Sequence, residues 1–224
     1  KSVDPKKILA ITFTRKARRE MIRRLGEVDR FGYVKIETFN SFCEKILRKH
    51  NDLLYDKQVK VISYRDKIMI TNKALAHIGI SIDRAIAIYF TTAQRRGKTD
   101  EQLANIFMND CFFIRDYFKF KHKKLTRKEF EADDAKHEDS AQIVFEVCSF
   151  IEEYMKNNHM RDFADQLIDA IDLFEKHSEL IPKFDHILID EFQDVNSTQI
   201  KLVDILNPEN LFCVGDPRQS IFRS

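Results

Sequence analysis

Apolar residues follow two rhythms along this chain. The first is a set of short, nearly unbroken runs: Ile8–Phe13 (ILAITF), Tyr33–Phe39 (YVKIETF), His186–Ile189 (HILI) and Leu211–Val214 (LFCV). Their length and branched or aromatic content predict strands, with His186–Ile189 buried on both faces. The second rhythm is helical. Ala17, Met21 and Leu25 recur at helical spacing behind Thr14, a cap, and ahead of Gly26, a stop. Ser41 with Glu44 reads as a capping box for a helix over Phe42–His50. Phe163, Leu167, Ile171 and Phe174 form one stripe of a helix over Arg161–His177 that Asp162 caps. Asn196 caps a further helix over Thr198–Leu206. Strand, polar turn and helix thus alternate at both ends of the chain, which predicts an α/β fold with a parallel sheet.

The middle breaks the alternation. From about Asp52 to about Asn158 strand-like runs mostly vanish, and Asp66–His77, Glu101–Met108 and Ala141–Met155 carry helical periodicity. The expected organisation is an α/β domain over 1–51 and 160–224, interrupted by an all-helical insertion over 52–159. Within the insertion, Arg115–Lys128 holds seven Lys or Arg against one acid, with Tyr117, Phe118 and Phe120 between them. That composition suits a nucleic-acid strand, but a helix with one basic and one apolar face produces it equally, and the second reading is preferred. Gly97-Lys98-Thr99 resembles the end of a phosphate-binding loop. The required glycine five positions earlier is Thr92, so Lys98 is rejected as a phosphate ligand.

Charge changes this picture little. The net charge of +2 among 33% charged residues gives no global bias, so contact with nucleic acid depends on local patches. No apolar run approaches the ~20 residues that span a bilayer, and no secretory leader is evident. Cys43, Cys111, Cys148 and Cys213 lie far apart without a CxxC pair, and three stand in apolar runs. Buried free thiols in a reducing cytoplasm are expected.

The chemistry gathers where strands end. In open parallel sheets ligands bind at the carboxyl ends of the strands. Thr12–Lys16, Thr38–Ser41, Asp190–Asp194 and Gly215–Ser220 all follow strands. Asp190 and Glu191 terminate an apolar strand, where an uncompensated carboxylate is costly. A Mg²⁺–nucleotide supplies the compensation: one acid holds the metal's shell, and its neighbour takes a proton from an attacking water. Thr-Phe occurs at the end of two strands: either it offers a hydroxyl to a phosphate and a ring to a base, or both residue types simply favour strands.

The segments TFTRKARREM, TFNSFC, DFADQL, ILIDEFQDVNSTQ and VGDPRQSIF, in this order, resemble motifs Ia, Ib, Id, II and III of the UvrD/Rep family of superfamily-one DNA helicases. The resemblance spans nearly the whole chain and implies a RecA-like, P-loop NTPase type motor domain 1A carrying the helical domain 1B. It implies ATP and Mg²⁺ as cofactors, and single-stranded DNA and its junctions with duplex as partners. Asp190 would hold Mg²⁺ through water, Glu191 would be the general base, and Gln219 would sense the γ-phosphate. Gln193, Asp194, Asp216 and Arg218 would couple nucleotide state to DNA. Phe13, Thr14, Lys16, Thr38, Phe39 and Ser41 would line the DNA path, and Phe222 stands where the family usually has a stacking Tyr. The family's phosphate loop falls upstream of the first strand, and its second motor domain downstream of Ser224. A helicase fragment, inactive by itself as an ATPase, is therefore expected. The motor part of a helicase–nuclease, a non-catalytic DNA-binding module and a two-metal nuclease using Asp190, Glu191 and Asp194 are the alternatives.

Overall fold

The computed structural model describes residues 3–27, 32–54, 57–121, 123–131, 134–216 and 218. In chain order the elements are β1 (Ile8–Thr12), α1 (Arg15–Gly26), β2 (Lys35–Thr38), α2 (Phe39–Lys49) and the short α3 (Asn51–Leu54). Then come β3 (Lys60–Val61), α4 (Tyr64–His77), α5 (Ile82–Tyr89), α6 (Thr92–Arg95), α7 (Asp100–Phe120), α8 (Glu138–Asn157) and β4 (Met160–Arg161). The chain closes with α9 (Phe163–Lys176), β5 (His186–Ile189), α10 (Ser197–Leu206) and β6 (Asn210–Cys213). Two compact units result, one of residues 1–56 and 165–224, the other of 57–164. Both junctions lie five residues beyond the positions expected from the sequence. The two-residue strands β3 and β4 pair in parallel, and this keeps 160–161 with the helical unit.

The first unit is built on a parallel sheet of order β2-β1-β5-β6. Register aligns Thr12 with Thr38, Ile11 with Ile189, and Ile189 with Cys213, so all four strands end along one edge. Leu9, Ile11, Ile187 and Ile189 face a core made by Phe39, Phe42 and Leu47 of α2, Leu167, Ile171 and Phe174 of α9, and Leu202 and Leu206 of α10. Phe163, expected on the same stripe, is exposed.

The opposite face is more open than the apolar runs predict. Leu188 of β5 is 38% exposed, against the expected burial on both faces. Every residue of β6 is exposed, Phe212 at 62%. On that face helix α1 fully buries none of its residues and leaves an apolar hollow of about 390 Å³ beside Met21, Leu25, Leu188 and Phe212, and β6 is the edge strand.

The second unit is helical. Ile70 and Ala74 of α4, Ile86 of α5, Leu103, Phe107 and Phe112 of α7, and Val147 and Ile151 of α8 share one core. Hydroxyls start the helices: Ser63, Ser81, Thr91 and Thr99 each accept a first-turn amide of α4, α5, α6 and α7. Arg115 is 1% exposed in this unit. Its Nε donates to Glu152 Oε2 at 2.7 Å, and its Nη1 donates to Asp162 Oδ2 at 2.8 Å and Asp116 Oδ1 at 3.1 Å. A buried guanidinium is tolerable because acids answer it.

Gly97-Lys98-Thr99 joins α6 to α7. Gly97 has φ 74°, Thr99 caps α7, and Lys98 Nζ donates to the Gln94 carbonyl at 2.8 Å. It is a helix junction without a preceding strand. The basic stretch is helical only as far as Phe120, where α7 ends; Lys123 and Lys124 follow it outside a helix, and Arg127 and Lys128 lie in a 3₁₀ turn. Its apolar side is covered, with Phe118 7% exposed and stacked on Phe130 with ring centroids 5.2 Å apart. Among the described residues no helix is long and apolar enough to cross a membrane. Cys43, Cys111 and Cys148 are buried free thiols, and Cys213 is exposed.

Candidate functional site

The parallel register delivers four turns to one edge. After β1, Thr12 is fully buried and its Oγ1 donates to the Thr14 carbonyl at 3.3 Å. Thr14 Oγ1 accepts the Ala17 amide at 3.0 Å and so caps α1. The hydroxyl hydrogen of Thr14 stays available, because the cap uses only a lone pair. Lys16 is exposed in the first turn of α1.

After β2 the structure corrects the expected cap. Helix α2 begins at Phe39, and Thr38 is its cap. Ser41 is the third helical residue and completes the box, accepting the Thr38 amide at 2.8 Å while its own amide donates to Thr38 Oγ1 at 3.1 Å. Glu44 instead pairs with Arg48 and accepts from Gln166 Nε2 at 3.0 Å. The same Gln166, 3% exposed on α9, accepts from Asn40 Nδ2 at 3.1 Å and ties the turn to the core.

Two expected DNA contacts change character here. Phe39 is 2% exposed, so its ring has no free face for a base. It supports the half-buried Phe13 edge-on, with centroids 5.9 Å apart at 71°. Ser41 donates its hydroxyl hydrogen to Glu37 Oε2 at 2.6 Å. Its donor is committed within the chain, and it orders the turn. Glu37 was not singled out in the sequence. It is 5% exposed and takes Ser41, Lys45 and Arg18, the last at 3.2 Å. The clue was an acid inside the YVKIETF strand run, since a buried carboxylate requires partners.

After β5, the Asp190 amide donates to the Ile11 carbonyl at 3.0 Å, which fixes the acid beside the end of β1. Asp190 Oδ1 accepts the Glu191 amide at 3.0 Å. Glu191 has φ 53° and ψ 44°, a left-handed conformation that side chains beyond glycine rarely adopt and that costs roughly 1–2 kcal/mol. That bend throws the Glu191 side chain out to solvent. Residues Phe192–Asp194 then form one 3₁₀ turn. Asp194 Oδ1 is buried and has no hydrogen-bond partner among the described residues.

The turn after β6 meets the turn after β5 through a backbone bond, the Phe192 amide donating to the Val214 carbonyl at 2.8 Å, and through one amide side chain. Gln193 Nε2 donates to Glu191 Oε2 at 2.6 Å, and Gln193 Oε1 accepts the Asp216 amide at 3.1 Å. Gly215 makes this approach possible, because a Cβ there would stand 2.3 Å from Gln193 Oε1 and 2.9 Å from the Phe192 amide nitrogen. Asp216 in turn accepts from the Arg218 amide at 3.0 Å and from Arg218 Nε at 3.2 Å. Gln219 and Phe222 lie outside the described residues.

Residues 1–223 match the family described as the UvrD/REP helicase N-terminal domain. A protein named probable DNA helicase II homolog from Mycoplasma genitalium is 30% identical, covering 99% of this chain and 30% of the relative. The protein of the same name from Mycoplasma pneumoniae is 31% identical over all of this chain and 30% of its own length. The ATP-dependent DNA helicase PcrA of Staphylococcus aureus is 28% identical over 99% of this chain and 28% of its own length. The chain thus spans under a third of the length of these relatives. A parallel sheet with its polar turns on one edge and a family match over nearly every residue lead to one assignment: the chain belongs to the UvrD/REP helicase N-terminal domain family and has the RecA-like α/β fold of that type.

Proposed function

We propose that this chain is part of the motor of an ATP-dependent DNA helicase that moves on single-stranded DNA and opens duplex at junctions. In this reading 1–56 with 165–224 form motor domain 1A, and 57–164 form the helical domain 1B. The observation that carries the reading is the bridge made by Gln193. It joins Glu191, the candidate base, to the amide of Asp216 in the turn after the neighbouring strand. A change at the nucleotide side therefore has a direct mechanical route to the turn after β6, while Thr14 and Thr38 stand across β5 at the ends of β1 and β2.

The oxygen-only donors at the end of β5 fit Mg²⁺. Asp190 has one carboxylate oxygen tied to the Glu191 amide and a second without a partner among the described residues. Among those residues no three His, Cys, Asp or Glu side chains converge as a metal cage, so Asp190 would share the ion with water and phosphate oxygens. When bound, Mg²⁺–ATP supplies the phosphoryl group and neutralises charge on it. Glu191 is exposed, aimed by its left-handed backbone and oriented by Gln193, and takes the proton of the attacking water. Gln219 reads the γ-phosphate. Asp194, Asp216 and Arg218 relay the state of that site. On the DNA side the exposed Thr14 and the nearly buried Thr38, 8% exposed, offer hydroxyl hydrogens, Lys16 offers charge, and Phe13 and Phe222 offer rings. The 224 residues hold no GxxxxGK[ST], so the chain alone is expected to lack ATP turnover.

The test is Glu191→Gln in the full-length helicase. Loss of a general base lowers turnover by roughly 10²–10⁴-fold. DNA-stimulated hydrolysis should fall by that much while nucleotide binding persists. Unchanged turnover defeats the assignment of Glu191. ATP hydrolysis by the purified 224-residue chain defeats the expectation that it needs a phosphate loop from elsewhere.

A further inference from the structure

The end of β2 contains a buried acid, Glu37, that gathers the cations around it. Thr14 caps α1 and Arg18 stands one turn behind it; Ser41 completes the cap of α2 and Lys45 stands one turn behind that. Residues four apart share a helix face, so both cations back the turns that the DNA reading places on phosphate. Yet Arg18, Ser41 and Lys45 all converge on Glu37 at the end of β2. The Glu37 side chain is 7% exposed, that of Arg18 is 30% exposed and that of Lys45 is 64% exposed. Arg18 is doubly held, because its Nε also donates to the Ile36 carbonyl at 2.7 Å. Lys45 is held by Glu37 alone among the described residues, and most of its side chain is in solvent.

We infer that Glu37 is an affinity-setting residue: it withholds Lys45 from the phosphodiester backbone and keeps the grip on single-stranded DNA weaker than the local cations permit. The inference rests on the proposed DNA-tracking function. A motor must release each phosphate as it advances, and an internal carboxylate competing for one lysine serves that need. Ser41 belongs to the same device. With its hydrogen held by Glu37, its lone pairs face the Thr38 amide, and it caps the helix without gripping the ligand.

Salt dependence tests this directly. Each phosphate neutralised on a single strand adds about 0.7 to the slope of log K against log salt. Binding of a fluorescein-labelled oligothymidylate to the 224-residue chain is measured between 50 and 200 mM salt, a range over which affinities of this kind fall steeply. Glu37→Gln should tighten binding at the low end and steepen the slope by about one phosphate, so that the loss across the range grows about 2.5-fold. Lys45→Ala alone should leave the slope unchanged, and Glu37→Gln with Lys45→Ala should restore it. A merely structural role for Glu37 predicts weaker binding with no steeper slope, and that result overturns the inference. So does a shallower slope for Lys45→Ala, which decides the matter even if Glu37→Gln does not fold. Absence of binding by the unsubstituted chain defeats the DNA-tracking reading itself, and the inference with it.

Discussion

Both units contain clustered charges, and the cluster around Arg115 and the one at the end of β5 hold theirs in opposite ways. In the helical unit Arg115 is buried and its acids close around it. In the sheet unit Asp190 and Glu191 stand at a strand end, with Glu191 in solvent and Asp194 keeping a buried oxygen unanswered among the described residues. Closed charge clusters hold helices together. Open ones retain capacity for a ligand. The same contrast separates the hydroxyls: Thr99 in the insertion only starts a helix, whereas Thr14 starts a helix at the edge where strand ends gather.

Four substitutions probe this contrast, the strongest first. Arg115→Ala removes the cation from a buried cluster in which Asp162 is 2% exposed, and should cost about 3–5 kcal/mol in urea unfolding. A loss under 1 kcal/mol would mean that the cluster is not structural. Gly215→Ala forces a methyl against Gln193 and the Phe192 amide, and should cost about 1–3 kcal/mol as the two turns separate. An unchanged melting temperature would show that the turns do not touch in solution. Thr99→Ala deletes the cap of α7 and should cost about 1 kcal/mol, while Lys98→Ala stays within about 0.5 kcal/mol. If Lys98→Ala weakened nucleotide binding in the full-length helicase, its rejection as a phosphate ligand would be wrong.

The smallest effect is one of pH. Lys60 beside Asp66, with the Ser63 amide and hydroxyl, holds that carboxyl at about 2, below its ordinary 3.8. A depressed acid adds stability that is complete above its unfolded value and is lost as pH falls toward 2. Asp66→Asn should flatten the acid limb of the stability curve between pH 4 and 2. A limb as steep as the parent's would assign it to other acids.

The strands, their parallel sense and the polar turns at their ends were legible, because apolar runs and strand-to-helix order are local features of sequence. The cap of α2 was misplaced by three residues. Thr38 and Ser41 both satisfy the chemistry of a cap, and only the backbone at Phe39, already helical, decides between them. The burial of the Phe39 ring was illegible for a different reason. Sequence shows a ring beside a hydroxyl but not which side of the first turn of α2 packs inward. Gln193 was legible as part of a motif, but its double hydrogen bond was not, since that depends on β6 lying next to β5 and on the missing Cβ of Gly215.

The bare side of β6 has a consequence for the chain in the test tube. Leu211 and Phe212 project from opposite faces of a strand whose outer amides and carbonyls pair with no other described strand. Such a border is a template for a foreign strand. Concentrated solutions should therefore scatter light through border-to-border association, which sulfate promotes by strengthening apolar contact. A lysine in place of Leu211 should raise the concentration at which clouding begins, and would make the domain easier to handle without touching the acids at the strand ends.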